Sequence, residues 1–544
     1  MIVLRPDQAK LKADIYSGWQ EARNVLGVLP TGGGKSIIVS DIALDNHQQN
    51  LQQVVIAHRT ELVSQMSLHI AKRGIPHRII APDTVKTQIA REHFETFGKS
   101  FVNPTAMCSV GGVDTLKARA ESLAGWAQQQ SRWIIDEAHH VLRENKWGAA
   151  VEMFPNAYGL GVTATPSRAD GKGLGDHADG VFGHMAVGPD MRELIKLGGL
   201  TDYEIVVPVS DFEIDETSVS KSGDFSPARM REASQKSHIT GDVVVEYMRY
   251  ALGKRAICFA TDVATANEIA DQFNASGIRA AAVSAKTPTA VRNDAINRFR
   301  DGRYTILVNV DLFGEGFDVP ECACVIMARP TASLGVFLQQ FGRGLRTAPG
   351  KEFGLIIDHV SNYKRHGLPD KQHFWTLDRR DKRAKHEKDP EDIELIPCPE
   401  CSRPFEKCFT ICPHCGFELT QLTPVRSGPE FVDGDLCLLD RDALEALRTA
   451  TELESPAAVA NAASFVTGKQ YAGTGAANRQ IEKIQAQMEL KEAIAQWAGI
   501  GRAKGRSDGE MYRRFYLTTG VDVLTALAQS RADMEKLAEK VKGW

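Results

Sequence analysis

Leu29-Pro30-Thr31-Gly32-Gly33-Gly34-Lys35-Ser36 ends one apolar, β-prone run, residues 25–29, and precedes a second apolar run with the composition of a helix. Successive glycines let backbone N–H groups curl around a phosphate with no Cβ in the way. Lys35 would then reach the outer phosphates and Ser36 would hold Mg²⁺. The N-terminus of the following helix adds partial positive charge. The strict form of such a loop has a glycine five positions before Gly34, where this chain has Leu29.

Around this loop, short apolar runs alternate with longer helix-compatible stretches. One series comprises residues 25–29, 54–57, 133–135 and 159–163; a second comprises 256–259, 280–283, 305–309, 324–328 and 354–357. Strands apolar throughout and separated by helices predict parallel sheets covered on both faces. Two series predict two α/β domains, at 1–200 and 201–365. The polar stretch 210–226 reads as an exposed insertion or loop.

Trp133-Ile134-Ile135-Asp136-Glu137-Ala138-His139 places two adjacent carboxylates at the end of an apolar strand. Such charges need a compensating cation. Asp136 is suited to hold Mg²⁺, and Glu137 to orient or deprotonate an attacking water. With the glycine loop, this constellation predicts an ATP site.

Further short motifs follow in order, and together they resemble the helicases of superfamily 2, of the DEAH type by the string 136–139. Leu4-Arg5-Pro6-Asp7-Gln8 looks like that family's adenine-recognition element, with Gln8 the reader and Arg5 beside it. Residues 55–65, with Arg59 and Thr60, are similar to motif Ia, which lies along a nucleic-acid backbone. Thr163-Ala164-Thr165-Pro166 matches motif III, which with His139 implies coupling between ATP state and strand contact. Residues 256–261, ending in Thr261, resemble motif IV and imply nucleic-acid contact. Residues 309–318, with Gly316 and Asp318, resemble motif V. Gln339-Gln340-Phe341-Gly342-Arg343-Gly344-Leu345-Arg346 matches motif VI. By resemblance, Arg343 and Arg346 would cross the interdomain cleft to the γ-phosphate. The resemblance implies two tandem RecA-like parallel-sheet domains with ATP and Mg²⁺ as cofactors. Within the superfamily, Leu-Arg-Pro at 4–6, Pro-Thr-Gly at 30–32 and the string 339–351 are similar to the RadD-like bacterial DNA-repair helicases. DNA, single-stranded or forked, is the expected partner. RNA unwinding, duplex translocation without unwinding, and an ATP-switched DNA-binding adaptor stand as alternatives.

Cys398-x2-Cys401 and Cys412-x2-Cys415 form two knuckles ten residues apart. Four thiolates at such spacing fit tetrahedral Zn²⁺, and four sulfur ligands leave no position for water, so the zinc is read as structural. An iron–sulfur cluster is a less usual outcome for this layout. Cys408 and His414 read as bystanders. A zinc ribbon over 390–420 follows, either gripping a partner or serving only as a staple. The basic stretch 379–385 reads as a solvated linker, and the Ala/Gly-rich stretch 455–478 as a loose connection.

A helical accessory domain is expected over 437–544. Ile481, Ile484 and Met488, then Leu490, Ile494 and Trp497, recur at helical spacing. Ser507 with Glu510 predicts a capping box, Gly520 a helix end, and Ser530 with Asp533 a last helix start. Residues 501–506, rich in Gly and cations, are a candidate phosphate contact; Trp497, Phe515 and Tyr516 read as core.

The 544 residues imply several domains, and 43% hydrophobic with 25% charged residues is ordinary for a globular chain. A net charge of −4 excludes a uniformly basic protein, so any nucleic-acid surface must be local. No apolar run approaches the ~18–20 residues needed to span a bilayer. The start lacks a signal-peptide layout. A cytoplasmic location with no membrane partner is expected.

Overall fold

The computed structural model describes residues 3–57, 59–168, 170–208, 224–225, 239–313, 319–371, 373, 375–379 and 395–398, scattered positions from 400 to 463, and 470–544. Strands β1 (Asn24–Val28), β2 (Gln53–Ala57), β3 (His77–Ile80), β4 (Cys108–Gly112), β5 (Arg132–Asp136), β6 (Tyr158–Thr163) and β7 (His184–Val187) form the first sheet. Its order is β3-β4-β2-β5-β6-β1-β7, and every pairing is parallel. β2 is buried along its whole length, as a strand covered on both faces must be. Each such buried Val or Ile contributes ~1.5–3 kcal/mol through lost apolar hydration.

Strands β8 (Asp202–Pro208), β9 (Ala256–Phe259), β10 (Ala280–Ser284), β11 (Ile306–Val310), β12 (Cys324–Met327) and β13 (Phe353–Asp358) build the second sheet in the order β10-β11-β9-β12-β13-β8. These strands are parallel; Leu436–Leu439 then extends the edge antiparallel to β8. Both RecA-like domains expected from the two apolar series are therefore present. The predicted strands lie within about a residue of the observed ones. β3, β4, β7 and β8 were not picked out.

Parallel sheets bind ligands at the carboxyl ends of their strands. Register decides which residues meet there. Val28 lies opposite Thr163, and Asp136 opposite Val162, so the loops after β1, β5 and β6 emerge side by side.

Some polar segments differ from their expected looseness. Of the stretch 210–226, only Asp224 and Phe225 are described, and both are docked. Phe225 is buried with the Arg365 guanidinium 5.1 Å from its ring, and Asp224 Oδ1 accepts from Thr331 Oγ1 and the Ala332 N–H. Arg379, the one described residue of the stretch 379–385, is 68% exposed, as a solvated linker requires, and also pairs with Asp179; residues 380–385 lie outside the described set. Of the expected loose connection at 455–478, the last part is helical, since the helix Gln470–Ala503 begins there.

That long helix packs against Arg531–Lys542 through Ala486, Leu490, Ala493 and Ile494 on one side and Met534, Ala538 and Val541 on the other. The predicted periodicity is right for Leu490 and Ile494. Ile481 and Met488 instead face outward, 50% and 64% exposed, because the packed face is set by small residues the pattern underweights. Ser507 and Glu510 form the expected capping box, Gly520 ends that helix at φ 77°, and Ser530 caps the last one. In that box, next to 501–506, the Glu510 N–H donates to Ser507 Oγ and the Ser507 N–H to Glu510 Oε2. Phe515 is fully buried, in keeping with a core role.

Candidate ATP site between two sheet domains

The glycine loop leaves β1 and enters the helix Lys35–Gln48 through Gly34 at φ 101°, a left-handed conformation that favours glycine. A methyl group there would collide with the Gln8 amide. Gln8 is buried and engaged at both ends: its Oε1 accepts from the Arg5 N–H (3.1 Å), and its Nε2 donates to Gly33 O (3.1 Å). Arg5 Nη2 donates to the same carbonyl at 2.8 Å. The expected adenine element thus grips the outside of the phosphate loop.

Lys35 lies inside. Burial lowers its pKa; Glu137 and Asp136 oppose that shift, while Arg343 and Arg346 add to it. Asp136 at the end of β5, Glu137 just after it and two guanidiniums of the second domain therefore act on one buried lysine. Burial holds Arg346 down to about 10. Three cations crowded into a buried cleft with two carboxylates leave an excess of positive charge that a polyphosphate would neutralise.

Glu137 sits at φ 51°, ψ 47°, in the left-handed region where a residue with a Cβ is held at a cost of ~1–3 kcal/mol. Its N–H donates to Asp136 Oδ1 at 2.9 Å. Glu137 Oε2 is buried, accepts no hydrogen bond among the described residues, and stands 3.5 Å from His139 Nδ1. That nitrogen is also 3.1 Å from Thr163 Oγ1, which in turn donates to Thr165 O at 3.2 Å. Glu137, His139, Thr163 and Thr165 thus form one polar chain.

The second domain closes tightly on this floor. A methyl on Gly342 would lie 2.7 Å from Thr31 Cβ, and one on Gly335 3.1 Å from Thr165 Oγ1. A methyl on Gly32 would approach Arg346 Cγ to 3.5 Å. Beside Thr31 and Thr165 opens a hollow of about 160 Å³, reached also by His373 and Trp375. Those two aromatics escaped notice in the sequence because they stand in a polar connecting stretch.

The other expected residues fall less uniformly. Ser36 begins the helix beside Lys35. Arg59 crosses to the second domain, where Nη1 donates to Asp311 O (3.4 Å) and Leu312 O (3.5 Å). Thr60 starts the helix Thr60–Lys72, its side chain outside the described set. Thr261 is turned inward, 6% exposed, with its hydroxyl 3.4 Å from Asp262 Oδ2 and Thr265 Oγ1. Gly316 and Asp318 lie outside the described residues.

Away from the cleft, Leu395–Pro397 pairs antiparallel with Pro404–Glu406. The sulfurs of Cys398, Cys412 and Cys415 converge within 4.8 Å of one another. Gly416 at φ 79° turns the second knuckle. Cys401 and Cys408 lie outside the described residues, and His414 is not among the converging ligand atoms. Three gathered thiols are the donor set zinc takes. Phe409 packs edge-on against Tyr516, 5.5 Å between rings, joining this module to the helical tail.

A glycine loop and an acid pair on one parallel sheet, faced by arginines from a second, define a nucleotide-hydrolysing motor. Residues 1–168 match the family described as Type III restriction enzyme, res subunit, and residues 240–348 match the helicase conserved C-terminal domain. A 51.5 kDa protein of Lactococcus phage (isolate 7-9) is 31% identical over 391 residues, 72% of this chain and 77% of the relative. A Saccharomyces cerevisiae protein bearing the name ATP-dependent helicase IRC3 is 24% identical over 374 residues, 65% of this chain and 50% of its own length. The chain thus spans about half of that yeast relative. A fragment assigned to the HsdR subunit of a type I restriction enzyme from Vibrio vulnificus YJ016 shares the fold, with TM-score 0.51 and 19% identity over 68% of this chain and 67% of that one. The chain belongs to helicase superfamily 2 and is an ATP-hydrolysing nucleic-acid helicase. Among the described residues, no helix is long and apolar enough to cross a membrane.

Proposed function

We propose that this helicase is a DNA-directed motor of the DEAH type, akin to the RadD-like enzymes and acting in DNA replication, repair or recombination in the cytoplasm. The observation that carries the reading is the meeting of Lys35, Asp136 and Glu137 with Arg343 and Arg346 around one buried cleft. The restriction-enzyme description of the first domain's family favours DNA over RNA.

In this reading Lys35 and the N–H groups of Thr31, Gly32, Gly33 and Gly34 hold the phosphates, with Arg5 and Gln8 flanking the adenine. Ser36 and Asp136 supply the oxygen ligands that Mg²⁺ prefers. When bound, Mg²⁺ would offset charge on the β- and γ-phosphates. Glu137 orients the attacking water and accepts its proton. Arg343 and Arg346 stabilise charge on the transferring phosphoryl group, with Gly316 and Asp318 at the matching motif V positions. His139, Thr163 and Thr165 relay the phosphate state to Gly335 of the second domain. Arg59 and Thr60 lie along the nucleic-acid backbone, while Thr261 acts indirectly by holding its helix cap. The four cysteines of the ribbon, Cys401 included, hold structural Zn²⁺. The domain limits are those expected from the sequence: 1–200, 201–365, 390–420 and 437–544.

Steady-state ATP hydrolysis measured alone and with single-stranded DNA, duplex DNA, forked DNA and RNA tests the substrate class. Stimulation by single-stranded or forked DNA with little response to RNA is expected. Stimulation by RNA alone contradicts the DNA reading, and stimulation by duplex without strand separation favours a translocase.

A further inference from the structure

Two loops of the second domain meet on the flank of Arg346. Residues 319–323 lead into β12, and residues 346–352 lead from motif VI into β13. The ammonium of Lys351 lies between them. Its Nζ donates to Cys322 O at 2.6 Å, to Arg346 O at 2.8 Å and to Pro320 O at 3.4 Å. Thr201 Oγ1 reaches the same Arg346 carbonyl at 3.3 Å, and the Thr201 N–H holds Leu345 O at 2.8 Å. Gly350, at φ 75°, turns the chain so that Lys351 can fold back.

The stoichiometry is telling. A protonated lysine has three N–H donors for these three carbonyls, whereas the neutral amine has two. None of the three acceptors carries a formal charge. Burial lowers Lys351 to about 8; Cys322 and Glu321 oppose the shift, and Arg346 adds to it. Lys254, Arg255, Glu321 and Glu352 line the adjoining hollow of about 370 Å³. Cys322 is itself pushed up to about 11 by burial, so it does not titrate in the same range.

We infer that Lys351 is a positioning residue for ATP hydrolysis, stapling the loop after motif V to the main chain of Arg346 and so setting that guanidinium against the phosphate loop. This rests on the reading of Arg346 as a γ-phosphate partner. The staple also gives the loop at 320–322 a direct mechanical link to Arg346, independent of the Glu137–His139–Thr163 chain in the first domain.

The test is DNA-stimulated ATP turnover by the full chain, as wild type, Lys351→Met, Lys351→Arg and Arg346→Ala, from pH 6.5 to 9.5. Lys351→Met is expected to lower kcat roughly 10–100-fold with KM for ATP within about threefold, the pattern of an interaction realised in the transition state. Lys351→Arg keeps a permanent charge and is expected to recover part of kcat. Wild-type kcat is expected to fall as pH rises through about 8, and that limb to be absent or weaker in Lys351→Arg. Lys35, also lowered by burial, is common to both proteins and cancels in the comparison. Wild-type kcat and an unchanged alkaline limb in both Lys351 variants, with Arg346→Ala inactive, overturn the staple and leave the arginine reading standing. Wild-type turnover in Arg346→Ala overturns both. If Lys351→Met does not fold, the pH profiles of wild type and Lys351→Arg still decide.

Discussion

Arg379 closes a two-pronged ion pair on Asp179, Nε to Oδ2 and Nη2 to Oδ1 both at 2.9 Å, although the residues are 200 positions apart. The segment leaving the second domain therefore returns to the first. Leu377 O accepts from the Gly175 N–H at 2.9 Å, His177 Nε2 lies 2.7 Å from Asp378 Oδ1, and Trp375 packs into the cleft wall. Such a strap favours the closed arrangement of the two domains. Arg379 is 68% exposed, so solvent screens its pair and the contribution is small. Arg379→Ala should raise KM for ATP less than about fivefold. Trp375→Ala, which removes half-buried aromatic packing, should raise it roughly tenfold or more. Equal, wild-type KM values in the two variants would contradict a strap that holds the cleft closed.

His139 stands between Glu137 Oε2 at 3.5 Å and Thr163 Oγ1 at 3.1 Å. Thr163 gives its own hydroxyl proton to Thr165 O, so it receives one from His139 Nδ1. On the proposed coupling, His139→Ala breaks the chain while leaving Glu137 in place. Basal ATP turnover should stay within about threefold, and stimulation by DNA should fall roughly tenfold. Full stimulation in this variant would show that coupling runs elsewhere.

Acid sensitivity has a defined source in the first domain. His77 Nδ1 donates to Ile75 O at 2.9 Å, leaving Nε2 to accept from Ser67 Oγ at 2.6 Å. His93 Nδ1 accepts from the Phe101 N–H at 3.3 Å, so its Nε2 donates to Ser67 Oγ at 3.1 Å. The network needs both rings neutral. Burial lowers His77 to about 4, below its ordinary 6.5. The unfolded chain thus binds the proton first, and this site's stability is complete above pH 6.5 and lost as pH falls toward 4. The sum is ~3 kcal/mol. The urea midpoint should drop between pH 7.5 and 5, and less so in His77→Leu. Identical pH dependence in the two proteins would exclude this site as the cause.

The cysteine module makes a compositional prediction. Purified protein should carry about one zinc ion per chain, and Cys412→Ser should lose it. Because Phe409 rests on Tyr516, metal loss should also expose Tyr516 to solvent and to proteolysis of the adjoining helix. Iron in place of zinc, or retention of zinc after the substitution, would contradict the assignment.

Much of this was legible in the sequence because the deciding signals are local. Glycines before Lys35, the acid pair at 136–137 and the apolar strands each specify backbone and chemistry within a few residues. The capping box at Ser507 and the helix end at Gly520 were readable for the same reason. What was not legible depends on distant partners. Lys351 looks like a surface lysine until the carbonyls of Pro320, Cys322 and Arg346 surround it. Arg379 and Asp179 are ordinary charges until the chain doubles back. β3 escaped because His77, a polar residue at its start, is buried by partners from two helices. The inward turn of the Thr261 hydroxyl could not be read either, because a motif string gives order along the chain and not the direction of a side chain.

On the proposed mechanism, residues of both sheet domains complete one ATP site. The most direct test of this claim is single-turnover ATP hydrolysis at saturating DNA by Glu137→Gln and Arg343→Ala, one substitution from each domain, with nucleotide binding measured in parallel. The predicted result is a loss of roughly 10³-fold or more in both rates, with nucleotide affinity changed less than about tenfold. Near-normal hydrolysis by Arg343→Ala, with Glu137→Gln inactive, would mean that the first domain hydrolyses ATP alone and would contradict the claim.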